Sequence, residues 1–136
     1  MATINFMRSV LSLAAVGAII APLSAFAAGN PDAGKVMYTE CAGCHAFNKN
    51  GIGPDHCGLI GRKAGGLATF KNYSEVMTAS GIVWTQKTFS EFMAAPMDYV
   101  PDTTMEYIGV PDQESRDDLF AYIKKMSDDP KVCPKK

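Results

Sequence analysis

The sequence predicts an all-α domain with long connecting loops, on three observations. No stretch beyond residue 27 alternates apolar and polar residues as a half-buried strand does, while several repeat apolar residues at helical spacing. Those stretches carry their own start and stop signals. Residues 46–70 hold Gly51, Gly53, Pro54, Gly58, Gly61, Gly65 and Gly66, a density that belongs to loop. Loops of that length are weak in a compact domain unless something fills the space between them.

The elements follow in order. In GNPDAGKVMYTEC, Asn30 is a helix cap, Pro31 suits the first helical position, and Asp32 suits the positive end of the dipole. Ala33, Val36 and Met37 then share one face of a helix running towards Cys41. After the glycine-rich loop, SEVMTAS reads as a short helix closed by Gly81. A second short helix opens near Thr85, carries Phe89, Phe92 and Met93 on one face, and stops at Pro96. MDYVPDTTMEYIGVPD reads as a loop held by Pro101 and Pro111. The last helix starts near Asp112, with Glu114 and Asp117 early and Lys124 and Lys125 late. Its apolar stripe is Leu119, Tyr122, Ile123 and Met126, and the tail DDPKVCPKK reads as frayed apart from Cys133.

The first residues predict the compartment. MATINFMRS carries one basic side chain, Arg8, and VLSLAAVGAIIAPL is apolar or small throughout. Ala25-Phe26-Ala27 is a small-x-small cleavage site, so residues 1–27 read as a secretory signal removed near Ala27. The apolar run is short for a membrane span, and no second one follows. Residues 28–136 then form one domain, soluble and without stable membrane insertion, and the expected location is the periplasm. Without Arg8 there are 13 − 1 = 12 basic against 14 acidic side chains, no footprint for nucleic acid or for an anionic membrane.

The chemistry is concentrated in ECAGCHAF, Glu40 to Phe47. Zinc needs four ligands, usually as two close pairs, and beyond Cys41 and Cys44 the chain offers only His56 next to Cys57, then a distant Cys133. A thioredoxin-type pair lies between a strand and a helix, whereas this one ends a helix and precedes loop. A structural disulfide would leave the adjacent His45 unexplained. Covalent haem uses all of them: each thiol adds to one vinyl group as a thioether, and His45 becomes the proximal iron ligand. One haem c is therefore expected.

For the sixth ligand the residues offer two candidates. Met37, Met93 and Met126 sit on apolar helix faces and read as core. Met105 lies in a loop between two prolines, where no helix face explains it. A thioether there would favour the ferrous state and raise the potential. The rival is His56, only 56 − 45 = 11 residues beyond His45, otherwise a surface histidine.

These residues resemble the class I cytochromes c, near the mitochondrial type and the bacterial cytochromes c2. The resemblance spans nearly all of residues 28–136: GKVMYTECAGCH, GPDHCGLIGRK, GIVW, PMDYVPDTTMEYIG and DDLFAYIKK, in that order. It implies N- and C-terminal helices crossing near Gly34 and Tyr38, with short middle helices and long loops around one haem. It implies thioethers at Cys41 and Cys44, axial ligation by His45 and Met105, and a Pro54 carbonyl orienting His45. Tyr73 and Trp84 should meet the inner propionate with Arg62 nearby, and Thr103 should border the other. Departures are visible: Phe92 stands where a tyrosine often meets the methionine sulfur, Met77 where a distal asparagine is expected, and Asp102 where glycine is usual. Met97, Asp98, Thr104 and Asp112 replace lysines that ring the haem edge, though Lys35, Lys49, Lys63 and Lys71 remain, so steering towards a strongly acidic partner should be weaker.

The implied function is a soluble electron carrier rather than an enzyme, acting as a monomer. Its expected partners are redox proteins: a membrane cytochrome complex, an oxidase, a photosynthetic centre or a dehydrogenase. The alternatives are a haem enzyme or sensor with an open sixth position, or a dedicated electron-accepting subunit of a dehydrogenase. In this fold the loop after CxxCH packs beside the end of the last helix. The resemblance therefore implies a disulfide between Cys57 and Cys133, the cysteines that haem does not use.

Overall fold

A computed structural model describes residues 28–134, and the expected signal segment lies outside the described residues. Helix α1 spans Pro31–Met37, α2 Glu75–Ala79, α3 Gln86–Ala94, α4 Pro96–Tyr99 and α5 Gln113–Asp128. A 3-10 turn, Tyr38–Glu40, prolongs α1 to Cys41. Among the described residues there is no named strand, only an isolated antiparallel bridge between Lys63 and Val83.

Local signals set the helix starts. The Asn30 side chain accepts from the Asp32 and Ala33 amides, Ser74 caps α2 and Asp112 caps α5. Thr85 and Thr88 cap each other's backbone at the start of α3, satisfying two amides left over at a helix start. Pro96 does more than stop α3. It opens α4, a single turn within the segment read as loop, because its fixed φ suits a first helical position.

The architecture rests on α1 crossing α5. At the crossing, a Cβ on Gly34 would lie 2.0 Å from the Asp118 carbonyl oxygen, so only glycine lets the backbones meet this closely. Asp118 Oδ1 also accepts from the Asn30 amide at 2.6 Å, tying the cap of one helix to the other. Tyr38 packs on Tyr122 at 5.2 Å and stacks on Phe47 at 5.1 Å. The contact face of α1 is thus Ala33, Gly34, Met37 and Tyr38, and Val36 is left 70% exposed. The expectation that Val36 shares the packed face fails because the crossing centres on Gly34, and a residue two further on lies about 200° round the helix. Gly34→Ala should destabilise the holoprotein by about 3 kcal/mol or more, since the clash is with backbone that cannot rotate away. Chemical denaturation checks this, and a loss below about 1 kcal/mol would mean the crossing yields.

Helix α5 buries Leu119, Phe120 and Ile123, with Tyr122 and Met126 half-buried. It also buries Arg116 and Asp117. The Arg116 guanidinium donates to Ser90 Oγ, to the Val110 and Pro111 carbonyls and to Gln113 Oε1, while Asp117 accepts from Gln86 and Gln113. This saturated cluster locks α5 to α3 and to the loop before α5, as a buried charge requires. Over its described residues the tail is not frayed. The Val132 and Cys133 amides both donate to the Asp129 carbonyl. Cys133 is bonded to Cys57 with the Cα atoms 5.5 Å apart, so the disulfide implied by resemblance is present.

Candidate haem site

The loops and helices enclose a cavity of about 400 Å³, within the range of ordinary ligand sites. All the residues singled out from sequence border it: Cys41, Cys44, His45, Pro54, Arg62, Tyr73, Trp84, Thr103 and Met105. Leu59, Phe89, Leu119 and Ile123 line it too, though by sequence they read only as core or loop.

Cys41 caps the 3-10 turn, and the Cys44 and His45 amides donate back to the Cys41 carbonyl, which curls the motif into a tight turn. Neither Cys41 nor Cys44 is disulfide-bonded. Burial, helped by the Glu40 carboxylate, pushes the Cys41 thiol up to about 11. No cluster of three or more His, Cys, Asp or Glu able to hold a metal ion occurs among the described residues.

His45 Nδ1 lies 2.8 Å from the Pro54 carbonyl oxygen. A carbonyl can only accept, so Nδ1 carries the proton and Nε2 keeps its lone pair for a metal. Burial lowers the His45 pKa against the opposing pull of that hydrogen bond, and so favours the neutral ring with its single proton on Nδ1. Gly53 is required beneath the ring: a Cβ there would sit 2.3 Å from His45 Cε1.

His56 is not a surface histidine. It is 9% exposed and stacked on His45, ring centroids 4.4 Å apart, with its Nδ1 3.1 Å from the Tyr38 hydroxyl. Its backbone amide bonds to Ala46 immediately after the motif, which keeps it on the same side as His45.

Met105 reaches the cavity from a loop fixed at both ends. The Thr103 amide donates to Val100, the Met105 amide to Thr103 Oγ1 and the Val110 amide to Met93. Asp102 takes the positive φ of 65° that its usual glycine would take freely, a conformation aspartate tolerates better than most residues. Tyr107 donates from its hydroxyl to Glu40 Oε2 at 2.7 Å, fastening this loop to the residue before Cys41. Burial, and then that bond, push the Tyr107 phenol up to about 12. Phe92 and Met77 also line the cavity, and Phe92 brings no hydroxyl to it.

Trp84 is placed by backbone pairing with Arg62: the Trp84 amide donates to the Arg62 carbonyl, and the Gly61 amide to Trp84. Its ring packs edge-on against Phe92 at 5.1 Å. Tyr73 packs on Phe70 in the same manner. The Arg62 guanidinium donates to the Cys57 and Asp55 carbonyls, so part of its capacity holds the loop behind His45.

An apolar cavity between a CxxCH turn and a methionine loop, closed by two crossing helices, defines a c-type haem protein, and these residues fit the group. The Cytochrome c family profile matches residues 31–127. The chain is 40% identical over 105 residues to a cytochrome c2 of Rhodoblastus acidophilus, covering 75% of this chain and 97% of that protein. It is 36% identical over 110 residues to a cytochrome c-550 of Nitrobacter winogradskyi, covering 79% of this chain and all 100% of that one. Among solved structures, cytochrome cH from Methylobacterium extorquens superposes with a TM-score of 0.69 at 37% identity, covering 71% of this chain and 99% of that chain. The chain belongs to the cytochrome c family, of the c2 type. It is accordingly a carrier of electrons and not an enzyme, with one covalently bound haem c.

Proposed function

We propose that this carrier is exported to the periplasm, after removal of residues 1–27, and passes single electrons between redox proteins as a soluble monomer. Cys41 and Cys44 hold the haem, and His45 and Met105 are its axial ligands. The supporting observation is that these residues, from segments sixty residues apart (105 − 45 = 60), border one apolar cavity. When bound, the haem supplies a one-electron iron couple. The protein residues do the rest. Pro54 fixes the tautomer of His45, and Tyr107 with Glu40 holds the methionine loop shut. Trp84, Phe92 and Leu119 keep the site dry, which tunes the couple through its surroundings. Tyr73, Trp84, Arg62 and Thr103 are assigned to the propionate side.

Among the described residues no helix is long and apolar enough to cross a membrane. Ile52 and Ile108 stand exposed on loops that also supply cavity-lining residues, and Lys49, Lys63 and Lys71 are exposed as well.

The visible spectrum of the purified holoprotein tests this reading. A low-spin six-coordinate haem is expected, with a weak sulfur-to-iron band at the red end of the ferric spectrum and a reversible one-electron titration. A high-spin ferric spectrum without that band would instead support an open sixth position and a sensor or enzyme.

A further inference from the structure

The site contains a second imidazole that axial ligation leaves unused. His56 is buried, and its ring lies nearly parallel to that of His45, 20° apart at 4.4 Å between centroids. Neighbours fix it from several elements. Tyr38, on the turn after α1, meets its Nδ1 at 3.1 Å, and Phe47 packs edge-on at 6.1 Å. Its amide donates to Ala46, and its carbonyl accepts from Ser127 on α5 at 2.9 Å. The next residue, Cys57, is bonded to Cys133.

Packing alone does not explain a histidine here. A buried polar ring costs more than an apolar side chain of similar size unless its hydrogen bonds are met, and Tyr38 is spent on meeting one. What the position touches is the ligand. The hydrogen bond from His45 to Pro54 holds one edge of the ring, and a bond angle at a single edge is soft. A second flat ring against the face restricts the remaining swing, and stacked aromatic pairs favour such offset parallel geometry.

We propose that His56 is a positioning residue: its stacked ring, pinned by the Tyr38 hydroxyl and the loop bonded to α5, fixes the plane of the His45 imidazole. The inference rests on His45 being the proximal ligand. In a low-spin ferric haem the plane of an axial imidazole governs the spread of the haem-methyl proton shifts, which gives a readout that mere loss of stability does not move.

The test compares ferric holoprotein NMR spectra of the wild type, His56→Leu, His56→Phe and Tyr38→Phe. His56→Leu should change the methyl-shift pattern. His56→Phe, which restores a flat ring, should return it towards the wild type even if thermal stability falls in both. Tyr38→Phe, which frees the pinned ring, should give a smaller change in the direction of His56→Leu. A wild-type pattern in His56→Leu, or equal displacement by Leu and Phe, overturns the proposal. Should His56→Leu fail to accumulate, Tyr38→Phe decides: a shifted pattern supports it and an unshifted one overturns it. The low-spin visible spectrum should persist in all three variants and be lost in His45→Ala. Its survival in His45→Ala would overturn the ligand assignment itself.

Discussion

Replacing both Cys41 and Cys44 by alanine should reduce covalently loaded protein to a small fraction of the wild-type yield. Each single replacement should leave one thioether. The reason lies in the turn that Cys41 organises, where the Cys44 and His45 amides both bond to the Cys41 carbonyl and hold the two thiols at one edge of the cavity. Denatured wild-type protein should keep its colour on the polypeptide through acidified organic extraction. Haem leaving the chain in that extraction would sink the assignment of these cysteines. A large loss of the domain itself is also expected in the double variant, because the cavity is bordered by the same Leu119 and Ile123 that form the α5 core.

Met105→Ala should open the sixth coordination position. The ferrous form should then bind carbon monoxide readily, the red-end sulfur band should vanish, and the midpoint potential should fall. The drop is expected on the order of a hundred millivolts or more, a modest part of the roughly 0.8 V that axial ligands span. The backbone should hold, since the loop is fixed by the Thr103 side chain, by Val110 on Met93 and by Tyr107 on Glu40, none of which uses the methionine side chain. His56→Ala should leave the sixth position closed, because His56 packs against His45 itself. Carbon monoxide binding in the His56 variant and not in the Met105 variant would reverse the ligand choice.

How much of this was readable in the chain depends on how local each determinant is. Asn30, Ser74, Thr85 and Asp112 mark helix starts because a cap needs only its next few amides. Cys41, Cys44 and His45 were legible for the same reason, as a covalent attachment site within a few residues. Met105 stood out by lacking a helix face. Val36 misled because helical periodicity identifies an apolar face but not where another helix will cross it. That depends on Gly34 meeting Asp118, a contact across 118 − 34 = 84 residues. Arg116 carries no signal in the sequence, and Asp117 reads only as an acid near the start of the last helix. They are buried because Ser90, Gln113 and loop carbonyls from elsewhere in the fold satisfy them. His56 was hardest to place: its distance from His45 along the chain said nothing of which side of the cavity it would occupy.

The Cys57–Cys133 bond sets a condition on how the protein is made. The chain has four cysteines, and four allow three complete pairings, only one of which joins Cys57 to Cys133. Haem attachment needs Cys41 and Cys44 as thiols, while the other pair must be oxidised. Both demands fall on one newly made polypeptide, and Cys133 follows Cys57 by 76 residues. Until Cys133 emerges, an oxidant meeting the chain finds Cys41, Cys44 and Cys57 without the correct partner for Cys57. Biogenesis therefore requires that the CxxC thiols be kept or returned to the reduced state independently of the tail disulfide. A reductant acting on both pairs alike would free the C-terminal turn in the act of preparing the haem site.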